Sequence, residues 1–109
     1  MINVLILFGV PVEPEAFDQY FETGYRSLLY SVPNVERLAV NRIAGAAEGD
    51  PPFYCIVELE FGSEERMQEG LNSEAGQAMA RDLSQFASGG VTVLFARATV
   101  ELLGAEASP

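Results

Sequence analysis

The side chains best suited to chemistry in this sequence are phenols, and Tyr25 is the foremost of them. Tyr25 falls on the apolar side of a predicted helix, where a buried hydroxyl needs a hydrogen-bond partner that a ligand could supply. With the usual phenol pKa of about 10, it would donate a hydrogen bond rather than act as a base at neutral pH. We therefore predict a ligand contact at Tyr25 and keep it as a weaker candidate for catalysis. The structural alternative is a core tyrosine with its hydroxyl at the rim.

Two carboxylates form the second candidate. Glu58 and Glu60 share one face of a predicted strand, and paired carboxylates can do acid–base work when one of them is buried. Glu58 is therefore a further weak candidate for catalysis. We favour the structural alternative, in which these side chains form ion pairs with Arg37, Arg42 or Arg97.

Asparagines lie in two otherwise apolar strands. Asn41 shares a predicted strand face with Ala39 and Ile43, and Asn3 lies in the first strand. A buried amide must have its hydrogen-bonding groups satisfied. Asn41 is therefore a candidate ligand contact, and a bond to the backbone is the alternative.

The composition excludes several kinds of site. The sequence contains no histidine, so no imidazole can bind a metal, hold haem or shuttle a proton. Cys55 is the single cysteine; without a histidine to activate it, we interpret it as an inert core residue. The glycines form no phosphate-binding motif, and Ser27 has no base for a hydrolase triad. We therefore expect neither a metal nor a cofactor.

The charge balance restricts the kinds of partner that we expect. The chain has 16 acidic residues against 6 lysines and arginines, a formal net charge of −10. Nucleic acids and anionic membranes need basic patches, so we expect neither as a partner. No apolar run approaches the roughly 20 residues of a membrane span. A single cysteine rules out an internal disulfide and fits a reducing cytoplasm, where we place the protein.

One amphipathic helix, predicted over residues 14–29, positions the candidate side chains. Phe21, Gly24 and Leu28 share its apolar face, with Tyr25 beside them and Tyr20 flanking the same face. Glycine inside a helix costs about 0.5–1 kcal/mol relative to alanine, and it would leave space there. We predict an apolar ligand pocket between this helix and the sheet. Its predicted contacts are Tyr25, Gly24, Phe21, Leu28, Asn41 and Tyr20.

The remaining pattern predicts the fold class. Strands are indicated over residues 2–9, 35–43, 53–61 and 91–100 by apolar runs or period-two alternation. A helix in two pieces, capped by Ser63 and Ser73 and ending near Asn72 and Phe86, precedes the last strand. The order β-α-β-β-α-β predicts an α+β, ferredoxin-like fold with a four-stranded antiparallel sheet. We expect one domain over residues 1–103 and a disordered tail over 104–109.

At this point the chain resembles the EthD-like branch of the dimeric α+β barrel superfamily. The resemblance rests on INVLILFG, on EPEAFDQYF, on the pair VERLAVNRI and FYCIVELEF, and on NSEAGQAMARDLSQFASGG. It implies a homodimer whose sheets pack face to face, with pockets between sheet and helices. Relatives include small-molecule monooxygenases, isomerases, polyketide cyclases and haem-handling enzymes, so the resemblance implies a pocket rather than one reaction.

The sequence departs from the family in the first helix. Family members commonly carry His-x-Pro-Leu near its end, and the matching residues here are Tyr25, Arg26, Ser27 and Leu28. Only the leucine is retained, and haem binding, which depends on histidine, is not expected. A phenol in place of an imidazole, next to Gly24, is what a reshaped pocket would look like.

Three functions follow as hypotheses. The first is a homodimer that binds an apolar or aromatic small molecule, as a cofactor-free oxygenase, isomerase or cyclase. The second is an engineered family member whose pocket takes a non-natural aromatic ligand. The third is a non-enzymatic dimer with a vestigial pocket, in which side chains fill the space under the first helix.

Overall fold

The sheet is built from strands whose residues alternate between two faces. A computed structural model describes residues 1–104, and within them the chain forms one sheet of four antiparallel strands. The strands are β1 (Ile2–Gly9), β2 (Arg37–Arg42), β3 (Phe53–Phe61) and β4 (Val91–Arg97), in the order β2-β3-β1-β4. This confirms the predicted ferredoxin-like α+β fold. Of the predicted disordered tail, residues 105–109 lie outside the described residues.

One face of the sheet carries the core and the other is open. Alternate residues of β1, from Ile2 to Phe8, are buried, as are those of β3 from Cys55 to Phe61. The residues between them, such as Leu5, are only partly buried. We call these two sides the core face and the open face. The helices cover the core face over β1 and β3, whereas Val93 and Phe95 on the same face of β4 are exposed.

A single helix of three consecutive segments follows β1. It comprises α1 (Pro14–Tyr20), a π segment (Phe21–Tyr25) and α2 (Arg26–Ser31), which together we call the N-terminal helix. Proline suits the first turn, because the N–H that it lacks would have no helical partner there. The predicted helix is confirmed, but the π segment inside it is not a feature that the sequence analysis predicted.

The π segment decides which residues of this helix face the sheet. The buried row is Phe17, Phe21, Tyr25 and Leu29, at intervals of four. In a regular α-helix residues four apart are about 40° out of line, so such a row would turn away from the sheet. A π turn is wider, and here the Arg26 N–H donates to the Phe21 carbonyl five residues back. The row therefore stays in line, and the predicted inward residues Gly24 and Leu28 are only partly buried.

The predicted space beside Gly24 is occupied by the ring of Tyr20. A Cβ atom at position 24 would lie 2.8 Å from Tyr20 Cε1. The Tyr20 hydroxyl donates to Asp82 Oδ2 at 2.5 Å, so the ring bridges from the N-terminal helix to α4 (Glu74–Phe86). This contact gives a structural reason for glycine at position 24. The hypothesis of an engineered pocket stays a prediction.

The second helical region has the predicted two pieces. They are α3 (Glu64–Asn72) and α4. The Ser63 hydroxyl accepts from the Arg66 N–H, and the Ser73 hydroxyl accepts from the Gly76 N–H. Both are the expected N-cap bonds, since they satisfy donors that have no partner inside the helix.

The two edge strands are shorter than predicted. β2 covers residues 37–42 of the predicted 35–43, and β4 covers 91–97 of the predicted 91–100. The Ala98 N–H donates to the Met1 carbonyl, so β4 ends where its neighbour β1 begins and leaves later residues without a strand to pair with.

The contact between Tyr20 and Gly24 can be tested by a double-mutant cycle. We expect Gly24→Ala to be neutral or destabilising, because the added methyl displaces the Tyr20 ring and weakens its bond to Asp82. In a Tyr20→Ala background the same change should stabilise by about 0.5–1 kcal/mol, the ordinary helix propensity gain. Urea unfolding followed by circular dichroism measures both. An equal gain in the two backgrounds would contradict the packing described here.

Candidate functional site

The space between the N-terminal helix and the sheet is filled by aromatic rings. Most of the rings pack edge to face or tilted: Phe8 lies 5.2 Å from Phe17 and 6.2 Å from Tyr25, and Tyr25 lies 4.8 Å from Phe86, between ring centroids. Phe17 and Phe21 are stacked. Such pairs add stability beyond their buried area. We call the set the aromatic cluster; its members are Phe8, Phe17, Phe21, Tyr25 and Phe86.

Tyr25 is fully buried within the protomer. Its exposed fraction is 0%, and its hydroxyl donates to the Met79 main-chain carbonyl on α4 at 3.3 Å. Burial raises the pKa of Tyr25 above its ordinary value, and the nearby Asp82 carboxylate adds to the shift. The phenol therefore stays neutral and acts as a donor. Ligand contact at Tyr25 stays a prediction, while the observed bond gives it a role in holding α4 in place.

The other predicted contacts on this helix have distinct surroundings. Phe21 is fully buried in the aromatic cluster, and Leu28 packs at the margin of the core. The guanidinium of Arg42 lies 5.0 Å from the centre of the Phe21 ring and donates to Asp18 and Glu22 of the helix. These bonds fix the end of β2 against the N-terminal helix.

The hydrogen bond to Asp82 also changes the acidity of Tyr20. It raises the pKa of the Tyr20 phenol above its ordinary value, because ionisation would place a second negative charge beside the carboxylate. Tyr20 is 38% exposed, so it is the predicted contact on the N-terminal helix that a ligand in solution can reach most directly.

Asn41 and Glu58 lie on the opposite side of the sheet from the aromatic cluster. Asn41 pairs with Ile56 across the two strands, and Ala39 pairs with Glu58, which places all four on the open face. Asn41 Nδ2 donates to the Ile56 carbonyl at 3.1 Å and to Glu58 Oε1 at 3.3 Å. The structure therefore brings Asn41 and Glu58 together but separates them from Tyr25 within one protomer.

Glu60 forms the ion pair that the structural interpretation predicts. Arg37 Nε lies 3.4 Å from Glu60 Oε2 on the open face. Arg97 pairs instead with Glu64. Cys55 is buried in the core, and burial raises the pKa of its thiol, which suppresses the nucleophilic thiolate.

An apolar cavity that the sequence analysis did not predict lies between α4 and the sheet. Its volume is about 180 Å³, and we call it the α4 cavity. The walls come from the core faces of β1 and β4 and from the small and long apolar side chains of α3 and α4. Its lining residues are Val4, Ile6, Leu71, Gly76, Met79, Ala80, Leu83, Val93 and Phe95.

Met79 connects this cavity with the predicted site. Its side chain lines the cavity and its carbonyl accepts the Tyr25 hydroxyl. The signal available in the sequence was the spacing of Ala75, Met79 and Leu83 with Gly76 and Ala80 beside them. Small residues next to large ones on one face leave a hollow when the facing strand does not fill it.

Other kinds of site find no support in the described part of the chain. Residues 1–104 contain no group of three or more His, Cys, Asp or Glu side chains placed to hold a metal ion. Nor does any helix within them have the length and apolar character needed to cross a membrane.

Comparison with known proteins identifies the family. The model of the EthD domain matches residues 11–90. The chain belongs to the EthD family. An uncharacterised 11.0 kDa protein encoded in the thcB-thcC intergenic region of Rhodococcus erythropolis is 35% identical over 96 residues, covering 87% of this chain and 92% of that protein. The resemblance identified from the sequence is thereby confirmed.

Solved structures of other proteins have the same architecture. An EthD family protein from Bacillus halodurans C-125 superposes with a TM-score of 0.87 at 24% identity, covering 91% of this chain and 99% of its own. A mutant form of SnoaB, a cofactor-independent oxygenase from Streptomyces nogalater, superposes with a TM-score of 0.66 at 15% identity. The superposition covers 94% of this chain and 96% of the SnoaB chain. At these identities the likeness concerns the fold.

The pKa of Tyr25 predicts a pH dependence of stability. Because the folded-state pKa lies above the unfolded value of about 10, the neutral phenol stabilises the fold fully below pH 10 and loses this contribution as pH rises further. We expect the stability difference between wild type and Tyr25→Phe to be constant below pH 10 and then to fall by about 1.4 kcal/mol per pH unit. Urea unfolding at several pH values measures it. A difference that stays flat above pH 10 would mean that Tyr25 ionises normally in the folded protein.

Proposed function

We propose that this EthD family member is a homodimer that binds a small apolar or aromatic molecule in the α4 cavity. The observation that carries the proposal is a cavity of about 180 Å³ with an entirely apolar lining. An enclosed apolar cavity of about 150 Å³ in another protein binds benzene; the α4 cavity is of similar size but opens to solvent beside Val93 and Phe95, which are 42% and 59% exposed. The α4 cavity therefore has the size and chemistry for a single aromatic ring or a short branched alkyl group.

The lining argues for binding rather than for catalysis by the protein's own side chains. Of the described residues, those around the cavity include no acid, base or nucleophile. A charged or strongly polar ligand would lose its hydration without gaining a partner, which is unfavourable. A reaction of the cofactor-independent oxygenase kind would need a ligand that supplies the reactive carbon itself, while the protein excludes water and fixes orientation.

The aromatic cluster determines where in the protomer a ligand pocket can lie. Its rings fill the space under the N-terminal helix, which is what the hypothesis of a vestigial pocket expects at that position. We therefore place the ligand one layer away, beyond Met79, with Tyr25 supporting the cavity wall through its bond to the Met79 carbonyl. Asn41 and Glu58, on the open face, would lie toward the second subunit.

The open face supports the homodimer. On β1 and β4 this face carries Leu5, Leu7, Leu94 and Ala96, and Leu94 is 48% exposed. Toward β2 the same face carries the pair of Arg37 and Glu60. An apolar area bordered by polar residues is typical of a protein–protein contact.

The open face also carries an incompletely satisfied amide. Asn3 Oδ1 is buried and has no hydrogen-bond partner among the described residues, although buried polar atoms are normally paired. A second copy of the chain packed on this face would cover the leucines.

Binding in the α4 cavity can be tested by titration with fluorobenzene, followed by ¹⁹F NMR. We expect saturable binding with a Kd of roughly 1 mM or lower, given the affinity that a few apolar atoms in a preformed cavity can provide. Ala80→Leu should weaken it at least tenfold, about 1.4 kcal/mol, because the larger side chain enters the cavity.

Gln85→Leu is the matched control for this experiment. It adds the same side chain at an exposed position of α4 that does not line the cavity. If Ala80→Leu and Gln85→Leu bind fluorobenzene equally well, or the wild type shows no saturable binding, the proposed pocket is wrong.

The dimer can be tested by sedimentation velocity with two neighbouring substitutions on β4. We expect the wild type to sediment as a dimer at micromolar concentration and Leu94→Lys, on the open face, to sediment as a monomer. Val93→Lys is the control: Val93 is 42% exposed and lies on the core face of the same strand. A wild-type monomer, or dissociation by the control alone, would contradict a dimer through the open face.

A further inference from the structure

A second concave site lies at the other end of the helical layer. It is a cleft of about 230 Å³ between the start of the N-terminal helix and the segment that follows α4. None of its lining residues lines the α4 cavity. The cleft is lined by Val12, Glu13, Ala16, Phe17, Tyr20, Phe86 and Ser88.

Three aromatic residues contribute to the walls of this cleft: Phe17, which is buried, Phe86, which is partly buried, and Tyr20, which is exposed. The Phe86 centroid lies 5.3 Å from that of Phe17 and 5.1 Å from that of Tyr20. Aromatic faces carry a negative quadrupole and attract cations most strongly when several rings border one space. The cleft is therefore better suited to an organic cation than to a neutral molecule of the same shape.

The charges around the cleft have the sign that a cation requires. Glu13 contributes a carboxylate to the lining, and Asp82 lies directly behind the Tyr20 hydroxyl. Within the described part of the chain, the lining residues include no lysine or arginine. Concave walls with one sign of charge concentrate the electrostatic field, so these carboxylates and rings favour the same class of ligand.

Hydrogen bonds hold the walls of the cleft in position. The Val12 N–H donates to the Ser88 hydroxyl at 3.0 Å, which ties the two loops together. The Tyr20 hydroxyl is fixed by Asp82 at 2.5 Å. A preformed wall binds a ligand without a further ordering cost.

We propose that this cleft binds a small organic cation, an alkylammonium or quaternary ammonium group. Its volume limits the cation to a small one, since drug-sized sites measure about 300–1,000 Å³. The cation would lie against Tyr20 and Phe86, with Glu13 at its open side. This site is separate from the α4 cavity and does not depend on a ligand being bound there.

The experiment compares choline with its neutral isostere 3,3-dimethyl-1-butanol on the full ¹⁵N-labelled chain at constant ionic strength. Two-dimensional NMR should show saturable shifts of the Ala16, Tyr20 and Ser88 amides with choline, and at least tenfold weaker binding of the neutral compound. Equal affinities, no saturation, or shifts that centre elsewhere would overturn the proposal.

Matched variants separate the cleft from the general negative charge of the protein. Glu13→Gln and Tyr20→Leu should each weaken choline binding at least threefold. Glu65→Gln removes one charge at a distant exposed position, in the first turn of α3, and should leave it unchanged. If Glu13→Gln and Glu65→Gln lower the affinity equally, choline is held by overall charge alone and the cleft is not the site. Fluorobenzene binding in the α4 cavity should be the same in Glu13→Gln and Glu65→Gln as in the wild type, so the two sites can be tested independently.

Discussion

The alignment of one row of side chains with the sheet is the constraint on which this structure depends. Phe17, Phe21, Tyr25 and Leu29 are all buried, and a regular α-helix could not keep residues at these intervals on one side. The π segment removes the conflict between sequence spacing and helix geometry. Its wider turn lies in the middle of the helix, at the position where Tyr25 reaches across to α4.

Several other contacts follow from this alignment. With Tyr25 directed inward, its hydroxyl meets the Met79 carbonyl and fixes the height of α4 above the sheet. Tyr20 then lies over Gly24 and bonds to Asp82 from outside. The helix therefore holds α4 from two directions, which leaves the far side of α4, toward β4, as the place where a hollow remains.

The sequence allowed most of the fold to be predicted, because its signals are local. The apolar run of β1, the alternation in β3 and the serine caps of α3 and α4 involve residues near one another in the chain. The inward face of the N-terminal helix was predicted only in part: Phe21 and Tyr25 are buried as expected, but Gly24 and Leu28 are only partly buried, and Leu29 takes the inward position. That error comes from applying the α-helical period to a segment with a different one, and tertiary packing, not local propensity, selects the π turn.

The candidate site was harder to predict for a different reason. The pairing register of β2 and β3 places Asn41 and Glu58 on one face together, and the sequence does not encode this register locally. Strands with two apolar faces also do not indicate which face the helices cover. The α4 cavity depends on the distance between α4 and β4, which no local pattern encodes. Its presence follows from Gly76 and Ala80 only once the facing strand is known.

Adjacent residues of β4 lie on opposite faces of the sheet and belong to two different surfaces. Val93 and Phe95 line the α4 cavity on one face, while Leu94 between them lies on the open face. A peptide strand is stiff, so a shift that repositions one residue also moves its neighbours. If a ligand binds in the α4 cavity and a second copy packs on the open face, the two equilibria would be thermodynamically linked: a ligand that strengthens subunit association would bind the associated form more tightly by the same factor.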